Sequence, residues 1–295
     1  MIDNIRSAAK QVGLFPMEKN KPEFLNIGLL KFILVKSLKN FEIVKYQCAY
    51  KNLLLTLNEK ELIVTNSLHK LMKGNNYSDF RFSELISAVN EIENITGISA
   101  SEFKIRKLEF AINITVPIQA ADYLTKFSDY KGREFDKMRN NHLWYGIKYI
   151  FTEYSLKIYD KSKQVKIADR IDINQNILRF EVVYNCQRKL TAIDNLSDLK
   201  DLKKSNLLFN QFILMIKKIS CFGNEDFSNL KNSERERYFA AKIPEYWKSL
   251  KSHNINTYKT NKKRFIEIQN KVNAKDLIED FEHDLTVKFN YLINS

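Results

Sequence analysis

The sequence predicts an α+β fold: a mainly antiparallel β-sheet with flanking helices, followed by a helical C-terminal region. Apolar runs of strand length recur between residues 20 and 184, and turn-forming or polar residues separate them. Residues 83–92 instead place apolar side chains at helical spacing. Single helices and hairpins between strands are typical of α+β proteins. Because the composition turns basic beyond residue 222, we expect two domains, at residues 1–222 and 223–295.

The N-terminal part is rich in strand-like sequence from residue 20 to residue 65. The apolar runs lie at 41–46, 52–57 and 62–65. Residues 58–60 form a plausible turn between the last two runs. Ser67 can cap a short helix, after which Gly74, Asn75 and Asn76 can supply positive φ angles for a tight turn.

The centre of the chain predicts a strand, a helix, a hairpin and another strand. The expected strands are 104–116, 143–152, 154–159 and 177–184. Pro117 ends the first of them and can open a helix over 118–127 as its first residue. The basic stretch 128–141 is either a surface loop or a strand-to-strand excursion, and the polar residues 162–176 lead into the last strand.

The C-terminal part predicts helices. A helix is expected at 194–222 with Gly223 as its C-cap, and a last helix at 274–292 that packs on the domain. Between them, Pro244 opens a helix, residues 252–256 form a turn, and Thr257 caps a second, basic helix. This pattern resembles a helix-turn-helix whose second helix would lie against DNA, although a basic solvated helix has the same pattern. The residues of that helix assigned to DNA are Tyr258, Lys259, Lys262, Lys263 and Arg264.

The charge of the chain favours a polyanionic partner. The 295 residues include 48 Lys and Arg against 35 Asp and Glu, which gives a net charge of +13. Nucleic acid is favoured over an acidic membrane, because no lipid-anchor motif is present and no apolar run approaches the ~20 residues that span a bilayer. The start of the chain lacks the apolar core of a signal peptide, so a cytoplasmic location is expected. The three cysteines and four histidines have no metal-site spacing.

Two carboxylates and a tyrosine on strand-like runs suggest a site for phosphate chemistry. Glu109 and Glu181 each lie in an apolar run, where a carboxylate is costly to bury unless a cation or a partner compensates it. They could hold Mg²⁺ or Mn²⁺, or they could be edge-exposed or paired with Lys107 or Arg179. Tyr159 could attack a phosphate, or it could be an ordinary half-buried strand tyrosine.

The neighbours of the tyrosine support either interpretation. Lys157 and Lys161 could stabilise its phenolate or the scissile phosphate. Asp160 could be a third metal ligand, or it could be a turn-forming residue.

These segments resemble the rolling-circle replication initiators of the filamentous-phage gene-two type and the related plasmid Rep_trans initiators. The motifs, in family order, are Lys107-Leu108-Glu109 with Pro117 downstream, Tyr159-Asp160-Lys161, and Arg179-Phe180-Glu181. The segment Ser67 to Asn76 also matches an N-terminal segment of the family, and the basic stretch 257–265 matches the end of the family more loosely. Compared with the family, Glu109 replaces the usual Asp, Lys107 replaces the usual Arg, and Asn113 stands where some plasmid relatives carry a further acid.

The resemblance implies a nicking domain of the relaxed HUH or RRM-like kind, single or duplicated, that starts rolling-circle replication of a phage or plasmid. Tyr159 would form a 5′-phosphotyrosine, Glu109 and Glu181 would hold the metal, Lys161 would stabilise the phosphate or the leaving group, and Arg179 would orient Glu181. Origin DNA, double- and single-stranded, would be the partner, with a host helicase and polymerase. Residues Lys157, Asn75 and Asn76 are also assigned to DNA. The alternatives are a non-catalytic DNA-binding repressor and a metal nuclease that uses water.

Overall fold

The three strands that carry Glu109, Tyr159 and Glu181 are adjacent in a large antiparallel sheet. A computed structural model describes residues 1–10, 16, 22–36, 43–221, 227–272 and 277–295. Within these residues the main sheet has 11 strands in the order β10-β11-β12-β13-β7-β1-β6-β5-β4-β3-β2. Those strands are β1 Ile2–Lys10, β2 Phe24–Ile27, β3 Leu30–Lys36, β4 Ile43–Tyr50, β5 Leu53–Leu57, β6 Glu61–Ser67, β7 Lys104–Thr115, β10 Asp136–Asn140, β11 Leu143–Ile150, β12 Tyr154–Asp160 and β13 Ile177–Tyr184. A smaller sheet has the order β14-β8-β9, formed by β8 Phe127–Tyr130, β9 Arg133–Glu134 and β14 Ile219–Cys221.

The described residues form nine α-helices, and the three within residues 227–272 share a separate core. The nine helices are α1 Leu68–Lys73, α2 Phe82–Thr96, α3 Ala120–Leu124, α4 Lys161–Asp169, α5 Leu202–Ile216, α6 Asn232–Ala241, α7 Pro244–His253, α8 Ile255–Lys271 and α9 Leu277–Asn294. No helix of the described residues is long and apolar enough to cross a membrane.

Strand alternation separates an apolar face from a polar face in the centre of the sheet. On β7, Leu108, Phe110 and Ile112 are almost fully buried and point to one side. The ring of Phe110 lies 5.2 Å from that of Phe212 on α5 and 6.5 Å from that of Phe289 on α9. Burying each such aromatic side chain contributes roughly 1.5–3 kcal/mol. The two residues between them, Glu109 and Ala111, therefore face the other side of the sheet.

A second, smaller core lies within residues 227–272. Leu230, Tyr238, Phe265 and Val272 are among its buried side chains. The apolar side chains of α9, in contrast, join the core of the large sheet. The expected boundary at residues 222/223 lies outside the described residues. We propose that residues 227–272 form the helical unit and that the chain then returns to the sheet.

The structure confirms the α+β class, the mainly antiparallel sheet and the C-terminal helices. It also resolves the open alternative at 128–141, because β8, β9 and β10 make this stretch a strand-to-strand excursion. The expected strand at 177–184 has the observed bounds, and Ser67 caps α1 by accepting a hydrogen bond of 3.0 Å from the backbone N–H of Lys70.

Several element boundaries differ from the sequence predictions. Pro117 does not open a helix, because α3 begins only at Ala120 and Phe127 already belongs to a strand. The helix expected at 194–222 begins at Leu202 and ends at Ile216, and β14 follows it. The predicted C-cap Gly223 lies outside the described residues. Part of the polar stretch 162–176 is helical as α4, since Asp160 caps it.

Three further expectations are corrected at turns and at the N-terminus. Asn254, not Thr257, caps α8, so a single residue separates α7 from α8. At the predicted positive-φ turn only Gly74 has φ in the left-handed region, and the residues with positive φ do not include Asn75 or Asn76. The strand β1 was not predicted, although it lies between β6 and β7 in the centre of the sheet.

Candidate functional site

Strand pairing gathers the predicted site residues on one face of the sheet. In the antiparallel register, Tyr159 pairs with Arg179 and Lys157 pairs with Glu181 across β12 and β13. Glu109 on β7 pairs with Val183, two residues from Glu181. Residues two apart on a strand share a face, so the side chains of the three motifs meet on the polar side of the sheet.

Three buried carboxylates form the centre of this face. Glu109, Glu181 and Asp3 of β1 each offer an oxygen within 4.8 Å of the others, the only such group of three metal-binding side chains found in the described residues. Their exposed fractions are 8%, 3% and 6%, respectively. Like charges this close repel one another in a low-dielectric interior. Cations must therefore balance the cluster.

Side-chain cations already lie against each carboxylate. Lys107 lies 2.9 Å from Glu109, Lys157 lies 2.6 Å from Glu181, and Arg179 contacts both Asp3 at 2.6 Å and Glu181 at 3.1 Å. The ion pairs that the sequence suggested for Lys107 and Arg179 are thus present.

These contacts and burial shift the pKa values of the three carboxyl groups in different directions. Burial opposes ionisation of Asp3, but the Arg179 guanidinium and hydrogen bonds from Ser67 and Asn76 outweigh it and lower its pKa to about 2. Burial also opposes ionisation of Glu181, and the charges of Lys157 and Arg179 lower its pKa nonetheless. The pKa of Glu109 is raised by burial and then by the neighbouring Glu181 charge.

Tyr159 points its hydroxyl into the carboxylate cluster. The hydroxyl donates a hydrogen bond of 2.9 Å to Oε2 of Glu181, and the side chain is only 6% exposed. Burial raises the pKa of this phenol well above its usual value, and the Arg179 charge opposes that shift. The ring of Tyr145 on β11 stands edge-on to that of Tyr159, with centroids 6.0 Å apart. The tyrosine is therefore a buried strand residue that donates a hydrogen bond, and its role stays a prediction.

Lys161 is held at the edge of the same face by two amide oxygens. Its Nζ donates to Oδ1 of Asn76 at 2.8 Å and to Oε1 of Gln164 at 2.7 Å. Burial and the nearby Arg179 charge lower its pKa to about 7. Near neutral pH, Lys161 is therefore present in both its protonated and its neutral form.

The asparagines and Asp160 have mainly positioning contacts. Asn76 donates to Asp3 at 2.9 Å, and Asn113 accepts a hydrogen bond of 3.2 Å from Arg179. Asn75 accepts hydrogen bonds from the backbone N–H groups of residues 77 and 78 and so shapes the turn. Asp160 accepts from the backbone N–H of Lys163 at 2.8 Å as the N-cap of α4.

A polar cleft of about 470 Å³ opens above these groups. Its lining includes the three carboxylates, Tyr159, Tyr145, Lys157, Lys161, Lys70 and Met138, together with several amide side chains. Arg179 and Asn113 lie behind this lining and hold it from below. The cleft therefore presents carboxylates, a phenol and ammonium groups to one ligand.

The carboxylate cluster fits a hard divalent cation. Mg²⁺ takes oxygen ligands at roughly 2.1 Å, so two opposite ligands lie about 4 Å apart. Adjacent ligands lie closer, at about 3 Å. The oxygens of Asp3, Glu109 and Glu181 lie within 4.8 Å of one another, so side-chain movements of an ångström or two would bring them around one ion. A cation held there would replace part of the compensation that the lysines provide.

Sequence reasoning missed Asp3, Tyr145 and Gln164. Asp3 lies in a strand whose register is shifted between Ile2 and Ile5, so its apolar residues do not alternate regularly. Tyr145 lies at an irregularity of the β10–β11 pairing, which shifts between Met138 and Arg139. Gln164 follows Lys161 by three residues, a spacing that would have been informative only if α4 had been predicted.

The residues assigned to DNA in the C-terminal helices divide into two groups. Lys259, Lys263 and Arg264 are exposed. Lys262 instead lies 3.1 Å from Asp129 of β8, and the hydroxyl of Tyr258 packs against Gly132. These last two side chains therefore face the excursion 128–141.

Comparisons with known proteins return distant structural likenesses. No protein-family model and no curated protein matches the chain. A solved structure described as that of a rolling circle replication initiator protein from Geobacillus stearothermophilus aligns at 13% identity with a TM-score of 0.40. The alignment covers 80% of this chain and 90% of that chain. A likeness this distant does not assign a function to this chain.

Proposed function

We propose that this protein is a replication initiator that nicks one DNA strand through Tyr159 and transfers it. The observation that carries the proposal is the hydrogen bond of 2.9 Å from the Tyr159 hydroxyl to Glu181, within a cleft that Asp3, Glu109 and Lys161 also line. A nucleophilic phenol needs a base nearby, a charge partner for the phosphate, and a place for the leaving group. All three kinds of group are within this cleft.

In the proposed reaction, the phenolic oxygen of Tyr159 attacks a backbone phosphorus. The proton of the hydroxyl passes to Glu181, the new bond joins the tyrosine oxygen to phosphorus, and the bond from phosphorus to the 3′-oxygen breaks. Lys161, with a pKa of about 7, donates a proton to the departing 3′-oxygen. The products are a 5′-phosphotyrosine and a free 3′-hydroxyl that can prime synthesis.

The other residues hold the reacting groups in place. Lys157 and Arg179 fix the orientation of Glu181 from two sides, at 2.6 Å and 3.1 Å. Asn76 links Lys161 to Asp3 through its amide. Mg²⁺ or Mn²⁺ bound by Asp3, Glu109 and Glu181 would polarise the phosphate and offset its developing charge. Asp3 is thereby added to the two ligands expected from the sequence.

One observation favours a non-catalytic alternative. Every carboxylate of the cluster already has a lysine or arginine partner, and Tyr159 is buried. A charge-balanced network of this kind would also serve as the structural centre of a DNA-binding repressor. The two functions differ in whether a covalent bond to DNA forms.

The deciding experiment is a search for a Tyr159–DNA adduct. The protein would be incubated with Mg²⁺ and tiled single-stranded oligonucleotides from the DNA that flanks its gene, then resolved by denaturing electrophoresis. We expect a shifted band whose adduct maps to Tyr159, and its loss in Tyr159→Phe, because the phenylalanine has no nucleophilic oxygen.

Tyr123→Phe, a change at a tyrosine outside the cleft, is the matched control and should retain the adduct. Cleavage without an adduct would indicate water as the nucleophile. Binding of wild-type protein with neither cleavage nor adduct would favour the repressor.

A further inference from the structure

A second cleft, of about 330 Å³, lies between the excursion 128–134 and the C-terminal helices α7 and α8. Two aromatic side chains, Trp247 and Tyr258, line it. None of the residues that line this cleft lines the cleft around Tyr159. Volumes of this size accommodate small organic ligands or parts of larger ones.

The two aromatic rings are held in fixed positions. The indole N–H of Trp247 donates a hydrogen bond of 2.7 Å to the backbone carbonyl of Ala241. The Tyr258 ring stands edge-on to that indole at 5.9 Å. Its hydroxyl packs on Gly132, whose φ is +72°, and a Cβ there would lie 2.4 Å from the hydroxyl oxygen. The glycine therefore permits the close approach that fixes this wall of the cleft.

The rim of the cleft is cationic. Asp129 is paired with Lys262 at 3.1 Å and Glu134 with Lys248 at 2.8 Å, so lysines already neutralise the acids. Arg133, Lys242 and Lys251 also line the cleft. An aromatic wall beside excess positive charge suits a ligand with a planar ring and an anionic group. A nucleotide has both, since its base can stack on an aromatic ring and its phosphate can contact the cations.

The excursion 128–141 connects this cleft to the first. Glu134 lines the second cleft and Met138 lines the first. Glu134 is in the small sheet and Met138 is in the edge strand β10 of the main sheet, and four residues of chain span at most roughly 13 Å. A DNA strand that follows this segment from a phosphate at Tyr159 would therefore need only a few nucleotides to reach the second cleft.

We propose that the cleft between Gly132, Trp247 and Tyr258 binds an unpaired base of the same DNA strand whose phosphate lies at Tyr159. The proposal rests on the proposed function for the identity of the strand. It identifies a base-binding site that would position single-stranded DNA for cleavage, and it assigns Tyr258 to this cleft instead of to the outer face of α8.

Tryptophan fluorescence can test this proposal directly. The chain has two tryptophans, so Trp144→Phe leaves Trp247 as the single reporter. The probe is a single-stranded heptathymidine, titrated in EDTA to prevent cleavage. We expect saturable quenching of Trp247 by heptathymidine, and little quenching by an abasic strand of the same length or by thymidine monophosphate.

Substitutions of Tyr258 separate stacking from simple charge attraction. Tyr258→Ala should weaken binding of heptathymidine about 5- to 150-fold, because it removes an aromatic wall. Tyr258→Phe keeps the ring and should bind as the parent does. Tyr291→Ala, an exposed tyrosine on α9 outside both clefts, is the matched control. If Tyr258→Ala loses structure by circular dichroism, Lys251→Ala is compared with the exposed Lys203→Ala, and only the first should weaken binding.

Three results would overturn the proposal. They are equal quenching by the abasic strand, equal affinity for thymidine monophosphate, and unchanged binding of both Tyr258→Ala and Lys251→Ala. Base-dependent quenching without nicking by the wild-type protein would refute the proposed function alone, whereas nicking without quenching would refute this inference alone.

Discussion

At the residue scale, the buried charge network around Arg179 organises the site. Arg179 is 2% exposed and contacts Asp3, Glu181, Asn113 and the backbone carbonyl of Asn76. These partners come from three strands and a turn, so one guanidinium fixes their relative positions. A buried charge is costly without such partners, so loss of Asp3 or Glu181 would leave the Arg179 charge only partly compensated.

Asp3 should stabilise the fold in a pH-dependent way. Its pKa is about 2 in the folded chain against a usual 3.8. A lowered pKa contributes stability above pH 3.8, and that contribution is lost as the pH falls toward 2. Asp3→Asn should therefore lower the free energy of unfolding by about 2 kcal/mol at pH 7. Urea unfolding in EDTA at pH 7, 5 and 2.5 measures the difference.

Asp172→Asn is the control for this prediction, because Asp172 forms an exposed ion pair with Lys166. Loss of this ion pair should change the free energy of unfolding by less than about 0.5 kcal/mol. If Asp3→Asn lowers the free energy of unfolding by as much at pH 2.5 as at pH 7, the assigned pKa of Asp3 is wrong.

At the element scale, the pairing of β11 with β12 positions the tyrosine. Gly146 pairs with Tyr159, and a Cβ on Gly146 would lie 2.3 Å from the Cβ of Tyr159. The two backbones approach too closely there for any side chain at 146. The glycine thus allows Tyr159 to keep its place beside Glu181.

Gly146→Ala should displace Tyr159 and break its hydrogen bond to Glu181. Because the methyl group would meet a Cβ and backbone atoms, we expect a loss of about 1–3 kcal/mol in unfolding free energy. We also expect adduct formation to fall at least tenfold. Lys148→Ala, two residues along the same strand, should change neither quantity comparably. Full adduct formation by Gly146→Ala would show that this contact does not position the tyrosine.

At the scale of the whole molecule, the sheet brings together segments that are distant in sequence. The net charge of the chain favours DNA as a binding partner. The large core contains α9 from near the C-terminus and β1 from the N-terminus, while residues 227–272 keep their own core. The net charge of +13 and the exposed basic side chains of α8 provide attraction to phosphates without sequence specificity.

DNA binding should accordingly weaken steeply with salt. If about five phosphates are neutralised, the affinity for duplex DNA should fall roughly 500-fold between 50 and 200 mM NaCl. Fluorescence anisotropy with a labelled duplex measures this slope. The double variant Lys259→Ala/Lys263→Ala should reduce the slope of log affinity against log salt by the equivalent of about two phosphate contacts. The double variant Lys203→Ala/Lys217→Ala, on and beside α5, should leave the slope unchanged. An affinity independent of salt would exclude electrostatic binding of the backbone.

The sequence by itself determined the α+β class and most strands near the site, because alternation and turn residues act locally. It also identified Glu109, Tyr159 and Glu181 through their motifs, and the structure brings these three side chains together. The roles proposed for them remain predictions. Local pattern did not predict β1 or α4, because β1 is irregular and α4 is too polar to show helical periodicity.

Only the tertiary structure decided which further groups join the three motif residues. Asp3 is more than 100 residues from Glu109 in sequence, and no periodicity relates them. Antiparallel pairing of β1 with β7 brings the two carboxylates to one point. The second cleft likewise depends on the contact of α8 with the β8–β9 turn at Gly132. Such contacts arise from long-range pairing and packing, which local sequence does not encode.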